Sequence, residues 1–246
     1  MKININMKEL IKGLLVICSY FFLTIILQIP FIFLYQLHII NKELLYILVY
    51  LSLAIVFILY YKKDLITEFK DFKANYKSIL KITFNYWLKG VFIMIVSTFI
   101  ISFINIPTNT TNQENNINML KTMPIAEIII ASLLAPIIEE LVFRKSLKNF
   151  TKNIHLYAYT TGLIFGGIHL ISSIKSLSDL VMLIHIIPYS AVGIAFGYAY
   201  KKTNNIYGTI ILHSIHNAIS LLEIIILGGF LWQKKRIKRQ DHINMK

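Results

Sequence analysis

Long stretches of this chain carry no charge at all, and nothing else in the sequence limits its fold so strongly. Residues 14–37 run from Leu14 to Leu37 without a single Asp, Glu, Lys or Arg. Residues 44–61 do the same, and so do 90–112. About 20 apolar residues suffice to carry a helix across a bilayer. In such surroundings every backbone polar group must find its partner within the segment or within a closed barrel. Strict two-residue alternation is absent, which argues against a barrel. The remaining solution is a bundle of membrane-spanning helices. Composition agrees: 56% of the 246 residues are hydrophobic and 15% are charged, and the mean hydropathy is +0.64. Soluble domains hold about 45–50% apolar and about 25% charged residues.

The expected architecture is all-α, with about seven to eight spans in a single membrane domain, 1–246. The expected spans are 13–37, 43–61, 82–104, 124–143, 155–173, 180–200 and 206–222, with an eighth segment at 218–233 and a preference for two short or bent final helices. The first apolar run is longer than the core of a cleaved signal peptide and reads as a retained span. Residues 1–123 supply N-terminal spans, and 124–222 carry the chemistry. Basic residues cluster between spans, at Lys62–Lys81, Arg144–Lys152, Lys201–Lys202 and in the tail Q-K-K-R-I-K-R-Q. The positive-inside rule puts these, and the amino terminus, in the cytoplasm. It puts 105–120 outside. The net charge of +13 is then topology and attraction to anionic lipid rather than nucleic-acid binding. The segment 62–81 reads equally as an interfacial helix with Phe69, Phe72 and Tyr76 on one side or as a solvated loop helix. Cys18 is the one cysteine, so neither an internal disulfide nor a thiolate metal cluster can form. It reads as a small packing residue.

Ionisable residues inside spans cost about 2.5–3.5 kcal/mol each on insertion scales and mark function by default. The densest set is A-P-I-I-E-E-L-V-F-R, residues 135–144. Glu140 and Arg144 are four apart, share a helix face and can pair. Glu139 lies about 100° around the helix and is left to face a cavity as a general base. In F-G-G-I-H, Phe165 and His169 are four apart. In H-S-I-H-N, His213 and Asn217 are four apart, with His216 partly on the same face. His and Asn so placed can donate to an oxyanion, help to hold a metal, or bond neighbouring helices. Gly162 with Gly166 and Gly193 with Gly197 form small-residue stripes for close helix packing. His185 reads as structural. Glu127 reads as lying near the outer interface. Glu223 reads as lying there or lining the cavity.

Taken in order on three successive apolar helices, E-E-x-x-x-R, F-x-x-x-H and H-x-x-x-N resemble the CPBP intramembrane proteases. That group holds the CAAX prenyl endopeptidases and the bacterial Abi-type bacteriocin-processing or immunity proteins. The resemblance covers about residues 124–222. It implies an intramembrane endopeptidase acting on a membrane-associated protein or peptide. Glu139 and His169 would activate water, His213 and Asn217 would stabilise the oxyanion, and Glu140, Arg144 and Phe165 would support them. It leaves a divalent metal such as zinc open, with Glu139, His169 and His213 as the ligands. No H-E-x-x-H is present, and Asn is a poor zinc ligand. The rival expectations are a non-catalytic scaffold or immunity protein, and a proton-coupled transporter. The latter lacks an internal repeat. One difficulty stands: Glu139 lies near the basic end of its span, whereas His169 lies roughly 20 Å along its own.

Overall fold

A computed structural model describes residues 4–104, 106 and 110–244, with side chains as far as 226. The described residues are helical, apart from turns and one isolated bridge between Ile5 and Thr151. The helices are α1 (Met7–Gln36), α2 (Lys42–Tyr60), α3 (Lys62–Phe103), α4 (Thr111–Thr122), α5 (Pro124–Ile129), α6 (Ala135–Glu139), α7 (Ile154–Ile171), α8 (Ile186–Thr203) and α9 (Ile206–Asn244). Asn or Thr caps the starts of α1, α2, α4 and α7, each accepting a bond from the backbone amide three residues on.

Among the described residues, six helical segments are long and apolar enough to cross a membrane by length and composition. The fourth expected span, 124–143, is also helical but not uniformly so. Between α5 and α6 lies a π-helical stretch, Ile130–Leu134, and after α6 a second one, Glu140–Lys145. The eighth expected segment is not a separate helix. It is a continuation of α9, whose backbone runs unbroken through Gly228-Gly229; the side chains of the basic tail lie outside the described residues.

The segment 62–81 is helical, as expected, and opens α3, with a kink at Asn75, where φ is −123° and ψ is 15°. Phe69 and Phe72 pack against the Tyr207 ring at 5.3 and 5.8 Å between centroids. Tertiary contact thus holds this polar segment in the bundle.

The core gathers α1, α2, the run 124–145 and α7 around Leu53, Leu141, Leu147 and Tyr157, all fully buried. Outward-facing Phe22, Ile29, Phe33, Phe92 and Phe99 are exposed. In a chain this apolar, that girdle is the surface for lipid. Cys18 is on this exposed face, not in a packed interior as expected. Helices α7 and α8 touch backbone to backbone. A Cβ at Gly162 would lie 2.5 Å from the amide nitrogen of Ile194, and one at Gly197 would lie 2.8 Å from Ala158 Cα. The two small-residue stripes are therefore the two sides of one contact.

Candidate active site

The site starts with a proline. Pro136 has no N–H, so it can bond no earlier carbonyl. The helix responds by widening. Ala135 N donates to Ile130 O, five residues back. In that register the carbonyl of Ala131 would need the amide of residue 136, which does not exist. Asn217 of α9 fills the gap, its Nδ2 donating to Ala131 O at 2.8 Å. A π-helical defect, a frequent mark of functional sites, thus becomes the point where α9 is attached.

One turn further on, Glu140 and Arg144 form the expected pair, with Glu140 Oε1 and Arg144 Nη1 3.3 Å apart and both side chains at 0% exposure. The guanidinium carbon sits 4.2 Å from the centroid of the Phe165 ring, a cation–π contact. None of the three guanidinium nitrogens of Arg144 has a hydrogen-bond acceptor, so the ion pair with Glu140 and this aromatic face are what compensate them. The second π-helical stretch begins at Glu140, and Ser146 N donates to Leu141 O across it. Tyr157 secures its far end by donating from its hydroxyl to Arg144 O at 2.7 Å. No sequence signal marked Tyr157.

His213 lies between the two glutamates. Its Nδ1 donates to Glu140 Oε1 at 3.0 Å. Its Nε2 faces Glu139 Oε2 at 3.5 Å. With Nδ1 carrying a proton, the gap between Nε2 and Glu139 is attractive only when a further proton sits on one of those two atoms. Glu139 is the accessible member, its side chain 16% exposed against 5% for His213.

His169 is half-buried at the C-terminal end of α7. Its Nδ1 donates to Phe165 O at 2.8 Å, which leaves Nε2 as the accepting nitrogen. The imidazole packs against Phe165 at 4.3 Å and stacks on Tyr189 at 5.8 Å. No ion pair within 4 Å joins it to Glu139. Phe165 stands between the two histidines, 5.7 Å from His213 by ring centroids. The expected Glu139–His169 partnership is therefore not a direct contact, and the histidine that touches Glu139 is His213. In the connection after the second π-helical stretch, Leu147, Phe150 and Thr151 are buried against the rest of the protein.

Among the described residues, no three His, Cys, Asp or Glu side chains converge closely enough to hold a metal ion. Glu139, His169 and His213 thus do not form the ligand set open to zinc in the sequence, and no step below passes through a metal. His216 packs against Trp87, 6.4 Å between ring centroids, outside the cluster. His185 is buried. Glu223 is exposed. Glu127 is buried at 2% exposure, and its Oε1 has no hydrogen-bond partner.

Comparison with known proteins falls on the same segment. A family model, type II CAAX prenyl endopeptidase Rce1-like, matches residues 121–219. A curated relative from Bacillus subtilis (strain 168), named "Putative membrane peptidase YdiL", is 27% identical over 114 residues. The match takes in 45% of this chain and 42% of the relative, so less than half of either is compared. No solved structure matches. Both matches point to the CPBP group that the three motifs resemble, and the apolar helices make the chain a multi-pass membrane protein.

Proposed function

We propose that this chain, whose residues 121–219 belong with the CPBP membrane proteases, is an intramembrane endopeptidase that cleaves a membrane-associated peptide or protein. The observation that carries this reading is the buried cluster in which His213 bridges Glu139 and Glu140 while Arg144 balances them. A scaffold gains nothing from burying four ionisable groups in an apolar bundle.

Glu139 is the general base. His169 Nε2 accepts a hydrogen bond from the same water, which spans the gap between the two side chains. Glu139 takes a proton as the water oxygen attacks the peptide carbonyl. The carbonyl oxygen becomes an oxyanion. It accepts a bond from the protonated Nε2 of His213 and from the second N–H of the Asn217 amide, whose first is held by Ala131 O. The C–N bond then breaks. Glu139 returns its proton to the leaving amine, and the new carboxylic acid passes its proton to His169. One water is consumed per peptide bond. Glu140, Arg144 and Phe165 hold His213 and the helix in place. The family suggests small secreted or membrane-bound peptides as substrates, including those of quorum sensing or bacteriocin immunity.

The test compares peptides from cells carrying wild type or Glu139→Gln at equal membrane levels, read by mass spectrometry. Cleavage products present only with wild type are the expected result and identify the substrate. Identical peptide profiles, with the cellular phenotype kept by Glu139→Gln, would replace the protease by a non-catalytic scaffold or immunity protein.

A further inference from the structure

Glu68 lies outside all three motifs, in a lysine-rich segment. It is nevertheless buried, at 7% exposure. Its Oε1 accepts from Lys145 Nζ at 2.7 Å, from Lys148 Nζ at 3.2 Å and from the Tyr200 hydroxyl at 3.4 Å. Its Oε2 accepts from the backbone amide of Ile206 at 2.8 Å. That amide is the first of α9, one of the donors a helix start leaves without an internal partner, and it sits at the positive end of the helix dipole. A second tie lies beside it. Asn205 Nδ2 donates to Glu68 O at 2.7 Å and to Asp71 Oδ2 at 2.8 Å.

One carboxylate therefore grips two elements at once: the end of the helix that carries Glu139 and Glu140, and the start of the helix that carries His213 and Asn217. Both distances from clamp to site are short. Ile206 to His213 is seven residues, about 10 Å of helix, and Lys145 back to Glu140 is five, about 8 Å. A helix displaced by one residue moves about 1.5 Å and turns about 100°. Such a slip takes His213 away from Glu140. The Asn217–Ala131 bond lies on the far side of His213 and by itself fixes only one point of α9.

We infer that Glu68 is a positioning residue, setting the register of α9 against the 124–145 helix so that His213 meets Glu139 and Glu140. The consequence for turnover rests on the protease reading; the consequence for His213 does not.

The experiment uses the full chain in detergent, labelled with nitrogen-15 at histidine. The His213 ring signals are assigned by their loss in a His213→Asn protein. Glu68→Gln keeps the shape and one accepting oxygen but removes the charge. Glu68→Asp keeps the charge, and hence the partner of the two lysines, but is one methylene too short to reach both elements. The expected result is a changed His213 nitrogen spectrum in both, with His185 and His155 unchanged. On the peptide identified by the Glu139→Gln comparison, kcat falls at least tenfold and KM stays within twofold. A wild-type His213 spectrum in both folded variants overturns the inference. Failure of both to fold also overturns it, because Glu68 is then a folding determinant alone. If wild type cleaves no peptide while the His213 spectra still change, the register role stands and the protease reading falls.

Discussion

Glu139 and Glu140 are adjacent and chemically identical, yet their surroundings assign them different tasks. Glu140 has no exposure and touches Arg144 and His213. Removing its charge leaves a buried guanidinium with only an aromatic face for company. Loss of one partner from a buried pair costs about 3–5 kcal/mol. Glu139 has a side chain 16% exposed and no partner closer than the 3.5 Å contact with His213, so its neutralisation breaks no close ion pair. Thermal unfolding in detergent is expected to show a large fall in midpoint for Glu140→Gln and a small one for Glu139→Gln. Equal midpoints would mean that Glu140 does not anchor the cluster. The pairing of Arg144 with Glu140 is legible in the sequence, because residues four apart on a helix are neighbours whatever that helix packs against. The role of His213 as bridge is not, because it depends on how α9 lies against another helix.

At the scale of elements, the glycine stripes show how far periodicity reaches. Gly162, Gly166, Gly193 and Gly197 repeat at helical spacing, so a close contact could be read from sequence, though not that the stripes face each other. Gly162→Ala places a methyl 2.5 Å from the Ile194 amide nitrogen. Backbone cannot yield as a flexible side chain can, and overpacking of this kind costs about 1–3 kcal/mol. The expected outcome is a lower unfolding midpoint and reduced cleavage together, since α7 carries His169 and Phe165. An unchanged midpoint would show that the helices separate without penalty. The π-helical stretches were hidden for a different reason. Pro136 announces a missing hydrogen bond but not whether the helix ends, kinks or widens. Here it widens, because Asn217, 81 positions later, supplies the donor that Ala131 lacks. Glu68 was hidden more deeply. In sequence it sits among lysines and reads as solvated, and its partners, Lys145, Lys148, Tyr200 and Ile206, all lie far along the chain.

At the scale of the whole molecule, contacts between distant segments define one end of the bundle. Asn6 N donates to Phe150 O at 2.7 Å. Lys201 Nζ donates to the carbonyls of Lys148 and Thr151, both at 2.7 Å. Glu68 joins α3 to α9. The starts of α1, α3, α7 and α9 and the end of α8 therefore lie together, and they bring the internal lysine clusters with them. The α4 helix follows the other end of α3. Charge alone suggested this grouping, and the contacts supply a physical reason for it: Lys201 binds backbone carbonyls, and Lys145 and Lys148 bind the carboxylate of Glu68. The grouping predicts labelling without reference to activity. In a Cys18→Ser background, cysteines replacing the exposed Lys63 and Lys202 should react with a membrane-impermeant maleimide from the same face of a vesicle. A cysteine replacing the exposed Asn115, on α4, should react from the opposite face. The positive-inside rule adds that the first pair is cytoplasmic, so inverted vesicles should label them and right-side-out vesicles should not. Labelling of Lys63→Cys and Lys202→Cys from opposite faces would break the bundle at its clamp, because α3 and α8 could not then both reach Glu68 and its partners. Labelling of the pair together from the outer face would keep the fold and reverse only its orientation, placing Glu139 nearer the outer surface.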